Sequence, residues 1–325
     1  MDYLSVIGNP IRDELACFEQ LFFASLSHGN ELLSQALDHI RQRGGKRMRP
    51  ILTFLMAKTF GEVSMVTQNA ALGLELLHTA SLIHDDVVDE SAERRGQPSL
   101  NASFNNKVSV LVGDYILSTA LLHVSFTGHQ LIIQSLAELG QTLSSGELLQ
   151  LNNFTQGGLD EQVYYEIIEQ KTASLFSTCA KIGAISAGAN DEAVVAATRF
   201  GLIVGMIFQV RDDIFDYYDS KNIGKPTGND MAEGKLTLPA IFALKSSGDK
   251  KMLALADKVK HHHATIEDIQ QLVAFSKEQG GIAYAEQKMN EWHEEGKSFI
   301  EKYVEKEEIS TSLRAYLDFV SQRGY

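Results

Sequence analysis

Apolar residues recur at i, i+3, i+4 and i+7 through most of this chain and alternating runs are scarce, a pattern that predicts an all-α protein. Two helices are expected in residues 1–43, split near Gly29-Asn30, with Leu15, Phe18, Phe22 and Phe23 at helical spacing. An apolar helix opens at Ile51, and a long one follows that carries His78, Ala80 and Ser81. Two more, 105–126 and 131–154, are joined near Thr127-Gly128-His129. The run 108–126 has the length of a membrane span, but Asp114 and His123 interrupt it, which predicts a buried core helix instead. Asp114 and Glu147 are read as buried or half-buried partners of cations or helix ends. Residues 265–322 give three amphipathic helices, with Thr265 as N-cap after a solvated turn at His261, His262 and His263. The five prolines, at 10, 50, 98, 226 and 239, all suit helix starts or loops.

Four acids in six positions break the apolar pattern of the long helix: Asp85, Asp86, Asp89 and Glu90. A helix turns by about 100° per residue, so Asp85 and Asp89 share a face with Asp86 beside them. Like charges so placed repel, and carboxylates without Cys or clustered His suit a hard cation such as Mg²⁺. An acidic patch alone reads as a solvated helix face. Here Asp212, Asp213 and Asp216 repeat the i, i+1, i+4 spacing on a second apolar helix. Two such clusters facing each other would hold several Mg²⁺ ions and bind a diphosphate better than either alone.

The basic residues stand out against a net charge of −13, which argues against nucleic acid as a partner. Gly44-Gly45-Lys46-Arg47-Met48-Arg49-Pro50 pairs flexible residues with three cations at a helix N-terminus, where backbone and dipole favour phosphate. Arg94 and Arg95 either fork onto phosphate oxygens or pair with Glu90 and Glu93. Lys171 interrupts an apolar stretch and needs an anion nearby. Length alone suggests about two domains, yet these features run from Gly44 to Pro239, so one large domain over 1–325 is expected. Within it, 1–43 are N-terminal helices, 44–239 hold the core motifs and 240–325 close the bundle. Cys17 and Cys179 fit no metal or redox spacing and suggest buried thiols in a reducing compartment. Met1-Asp2-Tyr3 lacks the basic start of a signal peptide, so a soluble, cytoplasmic protein without a transmembrane segment is expected.

GGKRMRP (44–50), HTASLIHDDVVDE (78–90), RRGQPS (94–99), KTASLF (171–176), FQVRDDIFDY (208–217) and GKPTGNDMAEGKLTLP (224–239) together give a family resemblance. The chain resembles the trans-type polyprenyl diphosphate synthases, of long-chain type such as octaprenyl diphosphate synthases, with Ser99 where the family more often has Thr. The resemblance implies a single helical bundle of the isoprenoid synthase type around a central apolar cavity, acting as a homodimer. It also implies a prenyltransferase that extends an allylic diphosphate with isopentenyl diphosphate, using three Mg²⁺ ions. Carried over by position, Asp85, Asp89 and Asp212 ligate metal, with Asp86, Asp213 and Asp216 in support. Arg94, Lys171 and Lys235 hold the allylic diphosphate, with Lys225 a further contact. Lys46, Arg49, His78 and Arg95 hold isopentenyl diphosphate. Thr172 and Gln209 belong to the catalytic group, the Thr oxygen facing the allylic cation.

Ala80 and Ser81 lie about one turn behind the metal site, with Leu76 and Leu77 a turn deeper. Small residues there imply an open shaft and a long product; the resemblance implies quinone side chains as its use, with membrane contact at product release. The rivals are a shorter, geranylgeranyl-type synthase, a terpene cyclase, a Mg²⁺-dependent phosphohydrolase and a non-catalytic helical partner. A cyclase needs no second diphosphate site, a phosphohydrolase needs a positioned water, and a non-catalytic partner has no need of intact motifs.

Overall fold

The computed structural model describes residues 3–42, 45–94, 96–156, 159–218 and 227–322. These are helical almost throughout. Among them the only strands are a two-residue antiparallel pair, Glu93–Arg94 with Gln97–Pro98, in which Gly96 takes the left-handed turn position at φ +75°. The fold divides into two compact units, one of residues 1–140, 178–198 and 303–313, the other of 141–177, 199–302 and 314–325.

In the first unit the Met65–Val88 helix is the central element. Ser64 starts it with a capping box, its hydroxyl accepting from the Thr67 amide while Thr67 accepts from the Ser64 amide. Leu72, Leu74, Leu76 and Leu77 are buried along it, and it packs against the Asn106–Ser125 helix. That neighbour is not the fully buried core helix its composition suggests. Val112, Ile116, Ala120 and Val124 form its buried side, whereas Leu111, Leu121 and Leu122 turn outward, Leu111 at 68% exposure. One packed neighbour covers one stripe of a helix, and composition does not say how many neighbours there are. Asp114 corrects its expectation too: its side chain is 60% exposed, with Oδ1 3.4 Å from His84 Nε2.

The N-terminal region has more pieces than its periodicity suggests. Helices Tyr3–Gly8 and Arg12–Ser25 flank a 3-10 turn, Asn9–Ile11, and Glu31–Arg41 follows. Pro10 lacks the amide hydrogen a continuous helix needs, and its carbonyl instead accepts from Lys58 Nζ at 2.7 Å. Asn30 caps the third piece by accepting from the Leu33 amide, and the helix expected at Ile51 already begins at Met48. Cys17 is half-buried and Cys179 buried, where desolvation pushes its thiol up to about 12 and keeps it protonated.

In the second unit the Glu161–Ile168 helix, capped by Asp160, runs into one π-helical turn, Glu169–Ala173, before the Ser174–Ser186 helix resumes. Periodicity gave no sign of this turn, which adds a residue to the helical repeat and re-aims the side chains on it. Two glycines admit it. A Cβ at Gly146 would stand 2.9 Å from Gln170 Cβ and 3.0 Å from the Lys171 nitrogen. A Cβ at Gly205 would meet the Ala173 backbone and come within 2.8 Å of Ala173 Cβ. Aromatic contacts tie the turn's helix to the long Gly281–Tyr303 helix: Tyr165 meets Trp292 edge-on at 5.8 Å and Tyr164 at 5.4 Å. Thr265 heads the Ile266–Glu278 helix in a capping box with Asp268, and the three C-terminal amphipathic helices are present as expected.

Candidate active site

The first aspartate cluster lies where the Met65–Val88 helix ends. Asp89 is its C-cap, the amide bonded to the Asp85 carbonyl at 2.8 Å, so the two residues stand one turn apart. Asp86 faces inward at 1% exposure and accepts from Arg94 Nε at 2.5 Å. Arg94 is thus tied to the aspartate cluster, where the sequence offered phosphate or Glu90 and Glu93. A charge-assisted bond of this length holds the guanidinium beside the metal-ligand candidates.

Arg94 and His78 line a cavity of about 60 Å³ with Arg47 and Glu75. Arg47 stands in the left-handed region at φ +50°, donates to Glu75 Oε1 at 3.1 Å, and lies 4.2 Å over the Phe22 ring. Arg47 sits within the basic run quoted above and Glu75 three residues before His78, but neither received a role. Their signal was a Glu on an otherwise apolar helical face, which a buried cation must answer. Lys46 is exposed and Arg49 half-buried. Arg95 and Lys225 lie outside the described residues. Of the chain-length positions, Leu76, Leu77 and Ala80 are buried, while Ser81 is half-buried and bonds the His78 carbonyl at 2.9 Å.

The second unit gathers Lys171, Thr172, Gln209, Asp213 and Lys235 around a cavity of about 160 Å³. The anion that Lys171 needs is Glu147, at 2.8 Å. Thr172 Oγ1 donates to Gln209 Oε1 at 2.8 Å, and Gln209 Nε2 donates to Asp213 Oδ1 at 2.8 Å. Tyr164 closes the chain by donating to Asp213 Oδ2 at 2.6 Å. Both oxygens of Asp216 accept backbone amides, from Asn229 at 2.9 Å and Asp230 at 3.1 Å, so this aspartate holds the 229–232 turn in place. Lys235 pairs with Glu233 at 2.6 Å. Tyr164, Asp230 and Lys260 also line the cavity, and sequence reading missed them. Only Asp230 lay inside a recognisable motif.

Carboxylates crowd this wall. Burial pushes Asp213 up to about 7, with Asp212 and Asp216 adding to the rise and the bonds from Tyr164 and Gln209 opposing it. Burial likewise pushes Asp230 up to about 8, helped by the charges of Asp213 and Asp216 and opposed by Lys235. A carboxyl whose folded pKa lies above its ordinary value near 3.8 favours the folded state while it remains protonated. That contribution falls away as pH rises from about 4 through about 8. Thermal unfolding of metal-free protein is therefore expected to move down by several degrees between pH 6 and pH 9. Asp230→Asn is expected to flatten the profile, and an equal slope in wild type and variant would show that other groups set it.

This donor chemistry fits Mg²⁺. The ligand candidates are all carboxylates, and the repulsion among Asp212, Asp213, Asp216 and Asp230 is what a divalent cation relieves. Among the described residues no three His, Cys, Asp or Glu side chains converge into a ready-made metal cage. Mg²⁺ does not require one, because it keeps several waters and is commonly bound through one or two carboxylates together with substrate phosphates.

Residues 30–275 match the family model described as polyprenyl synthetase. The chain is 35% identical over 302 residues to an octaprenyl diphosphate synthase of Haemophilus influenzae, covering 93% of this chain and 90% of that one. It is 34% identical to an all-trans-nonaprenyl-diphosphate synthase of Rhodobacter capsulatus, over 90% and 89% of the two chains. Among solved structures it superposes on a geranylgeranyl pyrophosphate synthase from Bacteroides thetaiotaomicron with a TM-score of 0.88, at 44% identity over 99% of this chain and 100% of that one. A decaprenyl diphosphate synthase from Rhodobacter capsulatus gives 0.89 at 31% identity, covering 98% of each.

Proposed function

The chain belongs to the polyprenyl synthetase family, and from that premise we propose that it joins an allylic diphosphate to successive isopentenyl diphosphate units, making a long all-trans polyprenyl diphosphate. The observation that carries this reading is the cavity of the second unit, where Lys171 and Lys235 stand beside Thr172, Gln209 and the apolar walls Ile167, Ile168 and Ile241. Cations in the lining suit a diphosphate and apolar walls suit the hydrocarbon that leaves it.

In this reading Lys171 and Lys235, with Arg94 and Lys225, hold the allylic diphosphate, and Glu147 keeps the Lys171 ammonium in place until the substrate arrives. Lys46, Arg49, His78 and Arg95 hold isopentenyl diphosphate. Asp85, Asp89 and Asp212 would hold Mg²⁺, three ions in all, with Asp86, Asp213 and Asp216 fixing the surroundings. The metal, when bound, offsets the negative charge that builds on the departing diphosphate. Thr172 and Gln209 turn oxygens toward the allylic carbon as it becomes positive, and the apolar walls keep water from it. No described side chain has to act as nucleophile. The departing diphosphate takes the final proton.

Product length is read by incubating purified protein with farnesyl diphosphate, labelled isopentenyl diphosphate and Mg²⁺, then measuring lipid masses. A ladder ending at one dominant length above twenty carbons is expected, as for the octaprenyl and nonaprenyl relatives. Arrest at twenty carbons is the second reading, favoured by the 44% identity to a geranylgeranyl synthase. Absence of incorporation by folded protein would leave a non-catalytic partner. Ala80→Phe is expected to shorten the product, and an unchanged mass spectrum would remove this position from the length control.

Homodimerisation belongs to the same proposal. Leu111, Leu121 and Leu122 form an outward apolar face on the Asn106–Ser125 helix, of the kind a second copy buries. Sedimentation reading one chain per particle would count against it. Cytoplasmic placement, with membrane contact at product release for quinone side chains, completes the reading, and cell fractionation tests it.

A further inference from the structure

With Asp213 ionised, the bonds around it form a chain whose direction is fixed at one end. Asp213 Oδ1 accepts from the Gln209 amide nitrogen at 2.8 Å. An amide that turns its NH₂ toward a carboxylate turns its carbonyl the other way, and that carbonyl accepts from the Thr172 hydroxyl at 2.8 Å. A hydroxyl has one proton. Thr172 therefore spends its proton on Gln209 and presents oxygen lone pairs elsewhere, and Thr172 lines the cavity. With the opposite polarity, Thr172 would point a proton at a carbon that becomes positive.

Resting on the proposed prenyl transfer, we infer that Tyr164 is a positioning residue of this site: its phenol, held on Asp213 Oδ2 at 2.6 Å, fixes the carboxylate and thereby the polarity of the Gln209 and Thr172 groups. One donor on each oxygen stops the carboxylate from rotating. With Tyr164 removed, Asp213 swings free and the Gln209 amide loses its reason to point one way. Burial and the charge of Asp213 hold the Tyr164 phenol well above its ordinary pKa, so it stays a donor across the working pH range. Tyr164 lines the cavity as well, and the role inferred for it is exerted through Asp213.

The test is a double-mutant cycle on the full chain, with single turnovers of farnesyl diphosphate and isopentenyl diphosphate in Mg²⁺. Tyr164→Phe keeps the ring that packs on Tyr165 and is expected to slow the turnover by about tenfold, the scale of one hydrogen bond to a charged group. The KM for isopentenyl diphosphate is expected to stay within about twofold. Gln209→Leu cuts the chain further along. In that background Tyr164→Phe is expected to change the rate by less than about twofold, because the path through which it acts is already broken. Should Tyr164→Phe melt below the assay temperature, Tyr164→His, which moves the donor, enters the same cycle with the same two outcomes. An equal loss in both backgrounds, or wild-type turnover in Tyr164→Phe, would overturn the inference. Failure of the wild type to elongate at all would instead overturn the prenyl-transfer reading beneath it.

Discussion

With Asp212 in the metal-holding role proposed for it, Asp212→Asn is expected to lower kcat by about a thousandfold while lowering the unfolding temperature less than Asp216→Asn does, because a metal ligand contributes several kcal/mol to transition-state charge stabilisation and each decade of rate is about 1.4 kcal/mol. The neighbouring aspartates are expected to behave differently, for reasons the hydrogen bonds give. Both oxygens of Asp213 and both of Asp216 accept donors from the protein itself. Asp216→Asn would set an NH₂ against a backbone N–H, so it is expected to lower activity and stability together. A buried amide left without its acceptor costs about 1–3 kcal/mol. Asp85→Asn, at another of the proposed metal positions, is expected to lower the rate in the same way. The measurement is kcat over a Mg²⁺ titration alongside thermal unfolding. A thousandfold loss for Asp216→Asn at unchanged unfolding temperature would exchange the two roles.

Gly205→Ala is expected to cost about a hundredfold in kcat through a single methyl group. The added carbon would run into the Ala173 backbone and lie 2.8 Å from its Cβ. Backbone cannot swing aside as a long side chain does, so the π-helical turn must move, and Lys171 and Thr172 move with it. A displacement near 1 Å at a reacting centre costs about a hundredfold, and overpacking of this kind costs about 1–3 kcal/mol of stability. The control is Gly140→Ala, where the new Cβ would lie 3.8 Å from Leu77 Cδ1, an ordinary contact. That helical position is expected to gain up to about 1 kcal/mol, since alanine restricts the unfolded chain more than glycine does. Equal kcat in Gly205→Ala and wild type would mean that the turn tolerates movement without loss of aim.

What the sequence carried and what it hid divide along physical lines. Helices that bury one face were legible because burial at period 3.6 leaves a trace in every turn, as at Ile269, Leu272, Val273 and Ser276 of Ile266–Glu278, whereas Met65–Val88, buried nearly all round in its middle, was legible from its length and apolar content. Both aspartate clusters were legible because acids so closely spaced on apolar helices repel one another, and a repeated i, i+1, i+4 spacing is not what a solvated face requires. The Glu169–Ala173 π-turn left no trace, since it depends on the absence of Cβ atoms at positions 23 residues before and 32 residues after its flanks, Gly146 and Gly205. Tyr164 was invisible for a related reason: a tyrosine at a helical core position reads as packing, and only distance reveals that its hydroxyl meets Asp213. The exposed side of Asn106–Ser125 was misread because hydropathy counts apolar residues without knowing how many neighbours will cover them.

Trp292, the sole tryptophan in the chain, meets Tyr165 edge-on at 5.8 Å, and Tyr165 in turn meets Tyr164 at 5.4 Å. All indole fluorescence of this protein therefore originates two rings away from the phenol that holds Asp213. The molecule carries its own optical label, placed where a shift of the Glu161–Ile168 helix on ligand binding alters both the emission and the energy it collects from those tyrosines.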